Sequence, residues 1–525
     1  MSHATIDGQS FGTYWNQTAQ GQEWLSNQKD GSIYLDGSAS QSGGTASGLV
    51  LTTNGALGSL GKNQTAYLEG GKGGYVNALA TNGGSVANNG TIYLKGSTKF
   101  WEVDRVKGIS VDEGRGVNAG TIVADNAHGM VANSKTSEKT SIIINRGTIQ
   151  VRGINAAGML DNNPNPTVED SLVNIKNKNR IEAYNGAAAI KVAADSKSGK
   201  TNITLEGGSS IDADESSKAV DVATSSHEVN LNFENGDVTI DGLVRIAGET
   251  NQTDINVRDA KVDNLALDAS HIREVNLDQG SLNIASNQQD RLTVEDMSLA
   301  NNSSFTIDEG NEDLTVVVND LEKDATSKVD FGDANVDLNQ DWTVEEGDNF
   351  TASNLVYDDN EQTNLTFTNK GTVEVSNSIT IGNDTFNNEY SSDLVDNDGD
   401  GRYDDVIEHI GSVKTDSLIL KSGATFNNKG NLEVGSSTTI DAAKLVNEGI
   451  AQSGSELSLK NGSHLTNSSS LTTRWINVVD SGITNNYGGL YTDYLSIYNG
   501  SLDNSHYGKV HVKYQFDLSK GDEFP

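Results

Sequence analysis

Short runs in which apolar and polar residues alternate recur from one end of the chain to the other. Clear examples are "TIYLKG" from Thr91, "LILKSG" from Leu418, "LSLKNG" from Leu457 and "LSIYNG" from Leu495. Alternation over four to six positions, closed by Gly or Asn, is the pattern of a strand with one face in a core. The stretch 200–345 keeps it in "NITLEG", "VNLNFENG", "RLTVED" and "LTVVVND". Nowhere do apolar positions recur at three and four spacing over a useful length, so no helix is predicted.

The strands carry a repeated phrase. "NNGTIYLKG" from Asn88 returns as "NAGTIVADNAHGMVA" from Asn118 and "NRGTIQVRGINAAGML" from Asn145. It returns again as "NKNRIEAYNGAAAIKV" from Asn177, "NKGTVEV" from Asn369 and "NKGNLEV" from Asn428. Near the C-terminus Gly430, Gly449, Ser469, Gly488 and Gly508 lie 19, 20, 19 and 20 residues apart, each two residues after Asn428, Asn447, Asn467, Asn486 and His506. Upstream, Gly90, Gly120 and Gly147 are 30 and 27 apart.

A fixed period near 20 with short strands and turn residues predicts an all-β chain folded as a right-handed parallel β-helix, a β-solenoid of about 20–25 coils. Each coil contributes about three strands. Asn at the corners tolerates left-handed backbone and hydrogen-bonds along a ladder; Gly fits where a Cβ would clash. "HGM" at 128–130, "AGM" at 157–159 and "AAI" at 188–190 are expected to be small-residue turns followed by an inward Met or Ile.

Composition narrows what such a stack does. Apolar residues make up 34% of the 525, with 55 Gly and 3 Pro, which suits a thin core repeated along an axis rather than several thick ones. The formal net charge is −36, which disfavours nucleic acid and anionic membranes as partners. There is no cysteine, so no disulfide or zinc-thiolate chemistry. No apolar run is long enough to span a membrane, so no membrane insertion by this segment is expected.

The "N-x-G-T-I-x-V" units, their "A-x-G-M" companions and the 19/20-residue coils resemble the passenger domains of bacterial type V autotransporters, in particular the β-helical adhesins. The resemblance covers about 80–500. It implies export through the outer membrane of a Gram-negative bacterium to the cell surface, and adhesion. The partners would be the same protein on neighbouring cells, giving aggregation and biofilm, or a host surface protein or glycan. Haemagglutinin-like exoproteins also use 19-residue coils, and their "NPNG" signature is missing here. The chain departs from a full family member in showing no signal-like start and no C-terminal barrel pattern, so an excised passenger or passenger fragment is expected.

The organisation expected is a cap and irregular coils at 1–80, with Trp15 and Trp24 in the cap, then longer coils at 81–383. An inserted acidic loop at 384–411 comes next, then regular coils at 412–515 and a tail at 516–525. Within the insert, "DNDGDGRYDD" alternates Asp396, Asp398 and Asp400 before Gly401. Hard oxygens in that order suit a structural calcium ion, with Asp404 and the Arg402 carbonyl completing the set. Ile407 stands at the position where a calcium loop carries its acidic twelfth ligand. Phe100, Trp101, Arg105 and Lys107 form either an exposed partner-binding loop or a packed lateral bulge. Tyr487, Tyr491, Tyr494, Tyr498, Tyr507 and Tyr514 crowd the last coils, either as packing or as a surface for sugars.

Catalysis has little footing: Asp480-Ser481-Gly482 lacks its flanking Gly and Ser, and the eight His are scattered. The alternatives to an adhesin are a polysaccharide-cleaving β-helix enzyme and a stalk spacing another domain from the cell.

Overall fold

The computed structural model describes residues 4–6, 9–11, 32–36, 45–51, 57–62, 65–69, 75–96, 106–133, 140–163, 172–194, 199–223, 227–248, 252–357, 364–395 and 405–519. Among them every regular element is a strand, and the long sheets are parallel: the fold is a right-handed parallel β-helix. The chain divides into two compact units, Met1–Leu292 with Ala300–Ser304, and Thr293–Leu299 with Phe305–Pro525. The expected cap residues Trp15 and Trp24 lie outside the described residues.

In the first unit a coil has three sides. Thr121–Asp125, His128–Ala132 and Thr140–Asn145 make one coil, and Thr148–Arg152, Ala157–Asn163 and Leu172–Asn177 stack on them position for position. Alternation places Ile122, Ala124, Ile149 and Val151 in the core and their neighbours outside. Met130, Met159 and Ile190 point inward as expected. The small residues before them do not turn, however: Gly129 and Gly158 lie within strands, and the turns fall earlier, at 126–127 and 153–156.

In the second unit a coil is a short strand followed by a long bent one. Thr425–Asn428 leads into Asn431–Asp441, Lys444–Asn447 into Ile450–Lys460, and His464–Asn467 into Ser470–Val479. The expected three sides are thus delivered by two strands, one of them bent. Phe367, Phe386 and Phe426 stack through this core with centroids 4.5 and 4.7 Å apart and planes within 12° and 4°. The inserted segment is shorter than 384–411, because Thr385–Asn388 is an ordinary strand of the stack. Tyr390–Val395 and Asp405–Ile410 pair antiparallel and form a hairpin, and His409 at its base contacts Glu346.

The glycine rows mark the places where coils touch. A Cβ on Gly147 would lie 2.0 Å from the Gly120 carbonyl oxygen, and one on Gly449 2.1 Å from that of Gly430. The phrase asparagines are inside, not at an outer corner. Asn88, Asn118, Asn145 and Asn177 are fully buried and pass side-chain hydrogen bonds along the axis at 2.8, 2.8 and 2.9 Å. In the second unit the ladder runs Asn369, Asn388, Asn428, Asn447, Asn467, Asn485 and Asn504, at 2.7–2.9 Å per step. Asn485 and Asn504 therefore replace the anticipated Asn486 and His506. Tyr487, His506 and Tyr507 take positive φ of 59°, 51° and 72°, which absorbs the extra residues. Left-handed backbone belongs to a different set of asparagines, among them Asn126, Asn155, Asn185, Asn461 and Asn499.

Candidate functional site

Ladder register turns residues some 30 positions apart in sequence into neighbours on the outer surface. On the outward side of the first strand of each coil, one column reads Tyr67, Tyr93, Val123, Gln150, Glu182 and Asp212. Tyr67 and Tyr93 stack at 5.0 Å and 8°. The lower half of the column is a connected polar cluster. Gln150 Nε2 donates to Glu182 Oε2 at 2.8 Å, the Tyr184 hydroxyl to the same oxygen at 3.2 Å, and Arg180 Nε lies 2.7 Å from Glu182 Oε1. Arg180 Nη2 reaches Asp212 at 3.4 Å.

Gln150, Glu182 and Tyr184 of this cluster line a groove of about 430 Å³ together with Arg152, Asn185 and Asp214. That volume lies in the range that encloses small organic ligands. The turn at Asn185, with φ of 58°, aims its backbone N–H at Asp214 Oδ2, 2.8 Å away. Burial raises the Asp214 carboxyl, but hydrogen bonds from Asn185, Ser217 and Ser216 outweigh it and hold the group below its ordinary range. Burial and then the Glu182 charge push the Tyr184 phenol up. The groove thus offers fixed carboxylate, guanidinium, amide and phenol groups, a set that suits hydroxyl-rich ligands.

Further round the first unit, another outward face carries amide ladders. Asn202 donates to Asn174 at 2.9 Å, and Asn256 to Asn232 and Asn276 to Asn256 at 3.0 Å each. Ion pairs flank them, Lys200 with Glu228 and Arg273 with Asp254, both at 2.5 Å. In the second unit a cavity of about 210 Å³ is lined by the Lys323–Asp348 ion pair, Trp342, Phe350 and Thr351. Trp342 Nε1 is buried there with no partner among the described residues.

Of the residues singled out from sequence, Phe100, Trp101 and Arg105 lie outside the described residues, as do Asp396, Asp398, Asp400, Arg402 and Asp404. Lys107 is half-buried in Val106–Asn118, in register with Asn77 and His128. Among the described residues no cluster of His, Asp and Glu is arranged to hold a metal. The C-terminal aromatics form ladders: Trp475 stacks on Tyr494 at 3.9 Å and 11°, and Tyr494 approaches Tyr514 at 5.4 Å. Trp475 and Tyr494 thus turn one ring face each on the other, while Tyr514 is tilted by 34°. His128 is buried and accepts the Ala157 N–H on Nδ1 at 3.1 Å, a packing role.

The Glu182 groove was not anticipated. Its signal lay in the third position of aligned phrases, Gln150 in "TIQVR", Glu182 in "RIEAY" and Asp212 in "SIDA". No known protein family matches the chain, and no curated protein matches it.

Proposed function

We propose that the protein is a cell-surface adhesin of the autotransporter passenger type, displayed by a Gram-negative bacterium. It binds through the outer faces of its β-helix, either to copies of itself on neighbouring cells or to a host surface protein or glycan. The observation that carries this reading is the repetition of outward polar side chains in register from coil to coil, with a preformed groove at Glu182. Contacts repeated along an axis add through multivalency even when each is weak. The buried phrase asparagines contribute nothing to that surface; the half-buried Asn174, Asn202, Asn256 and Asn276 do.

The experiment is display of the chain on non-adherent bacteria, scoring clumping of cells with one another and attachment to host cells separately. With a net charge of −36, like copies repel at low ionic strength. Self-association therefore strengthens as salt rises from about 10 to about 150 mM. Steady weakening with salt points instead to a basic receptor, and no binding at any salt leaves only a spacing role. The calcium reading of Asp396, Asp398, Asp400, Asp404 and the Arg402 carbonyl belongs to this proposal as a structural ion of the inserted segment. Calorimetry at millimolar calcium tests it, with Asp398→Ala/Asp400→Ala abolishing uptake.

A polysaccharide-cleaving function is favoured by one observation: Glu182 and Asp212 occupy equivalent positions on adjacent strands, about 4.8 Å apart in backbone. Glycoside hydrolysis uses two carboxyls at such spacing, one of them a proton donor. Arg180 bridges both here. New reducing or unsaturated ends from acidic or neutral polysaccharides would establish the enzyme in place of the adhesin.

A further inference from the structure

One inward column of the first unit reads Val111, Ala132, Asp161, Val192 and Val222. All five are buried, and one of them is an acid. Beside it runs a second inward column, Ser141, Val173, Thr201, Val229 and Thr253, also buried. Where the columns meet, Thr201 Oγ1 lies 2.5 Å from Asp161 Oδ2 and 2.6 Å from His227 Nε2. His227 is itself 2% exposed, and its Nε2 lies 3.8 Å from the same Asp161 oxygen. Asp161 Oδ1 is buried and has no hydrogen-bond partner among the described residues. The three side chains come from three successive coils.

This is a hydroxyl nucleophile, an imidazole base and a carboxyl carbon assembled in a site closed to water. We propose that Thr201 and Asp161 condense to an intramolecular ester, with His227 as the proton carrier, and so tie adjacent coils covalently. In the tautomer with its proton on Nδ1, His227 Nε2 takes the Thr201 hydroxyl proton as Oγ1 attacks Cγ of the neutral Asp161 acid. The Oγ1–Cγ bond forms. The Cγ–Oδ2 bond breaks as His227 returns the proton to Oδ2, which leaves as water with the proton it already carried. Oδ1 remains as the ester carbonyl oxygen, and His227 ends neutral, as it began.

Two features favour the product. Burial pushes the Asp161 carboxyl up to about 7, only partly offset by the Thr201 hydrogen bond, so near neutrality much of it is the uncharged, electrophilic acid. Held groups also react as if at effective molarities of roughly 10⁵ M or more, which speeds the condensation, and burial of all three side chains keeps bulk water from the ester. An ester removes the buried ionisable group.

The test is the intact mass of the full-length chain, which is expected one water below the mass of its sequence. Tryptic digestion should then recover 153–176 joined to 201–218, separable by mild alkaline hydroxylamine. Thr201→Val should restore the full mass, and Thr201→Ser, which keeps a hydroxyl, should again lose water. A wild-type chain of full mass with both peptides free overturns the proposal. So does a water loss that maps to an Asp-Gly succinimide, for example at Asp241-Gly242, instead of to these two peptides.

Discussion

Thr91, Thr121, Thr148, Arg180 and Ser210 start successive coils 30, 27, 32 and 30 residues apart, whereas Ser412, Asn431, Ile450, Ser470, Gly489 and Lys509 are 19, 19, 20, 19 and 20 apart. Both sets keep the parallel register and an inward asparagine ladder. In the long coils the surplus falls at one place, between the second and third strands: Ala132 to Thr140, Asn163 to Leu172, Ala194 to Lys200, Val222 to Glu228. That corner is where Asp161, Thr201 and His227 meet. In the short coils from Ser412 onward nothing is surplus, and the phenylalanine stack enters them from the coil that carries the hairpin. Ladder hydrogen bonds fix the strands, so coil length is free to vary at a corner. Variation there admits chemistry that a uniform coil has no room for.

The largest effect should come from the aromatic core of the second unit. Phe386→Ala empties the space between Phe367 and Phe426 and should cost about 3–5 kcal/mol in denaturant unfolding. Because coils depend on their near neighbours, the loss should fall mainly on the second unit. Hydrogen exchange resolved along the chain checks this. Equal loss of protection over 91–223 would mean that the two kinds of coil are one cooperative body, and the comparison would break.

The core of the long coils should answer to pH where that of the short ones does not. Asp161 as a free acid has its carboxyl raised to about 7 from an ordinary 3.8. Its folded state therefore holds a proton that the unfolded state releases. The stability this gives is complete below about pH 4 and is lost as pH rises through about 7, on the order of a few kcal/mol. Thr201→Val, which cannot form the ester, should show that slope in thermal melts. The wild type should be flat over the same window if the carboxyl is esterified; an equal slope in both would speak for the free acid.

Smaller, and equal in the two regions, should be the cost of breaking the asparagine ladder. Asn145→Ala and Asn428→Ala each strand buried partners above and below and should lose about 1–3 kcal/mol. A clear difference between them would tie ladder strength to coil length. This ladder also shows how far the sequence could be read. Asn and Gly at fixed offsets announced a coil, because only a stack demands the same small or amide residue at every turn. The final steps slipped from Asn486 and His506 to Asn485 and Asn504, because positive-φ residues at 487, 506 and 507 take up length that spacing cannot reveal. The Glu182 groove stayed hidden because its members lie about one coil apart in coils of unequal length. Asp161 stayed hidden because a polar residue ending the phrase "AAGMLD" looks like an ordinary outward position until register places it in a column of Val and Ala.

The smallest effect concerns the exposed aromatic pairs, Tyr67–Tyr93 in the long coils and Trp475–Tyr494 in the short ones. Double-mutant cycles to Ala should give couplings of about 0.5–1.5 kcal/mol, with the larger value for Trp475–Tyr494. Its centroids are 3.9 Å apart against 5.0 Å, so more ring surface is shared. The same variants separate stacking within the protein from stacking on a ligand. Trp475 and Tyr494 each spend one ring face on the other, so Trp475→Ala should leave attachment to glycan-bearing cells nearly unchanged. Gln150→Ala with Tyr184→Phe, which alters the groove but no ladder, should weaken it several-fold. A loss of attachment on Trp475→Ala alone would move the binding surface to the uniform coils, and the division of labour between the two regions would have to be reversed.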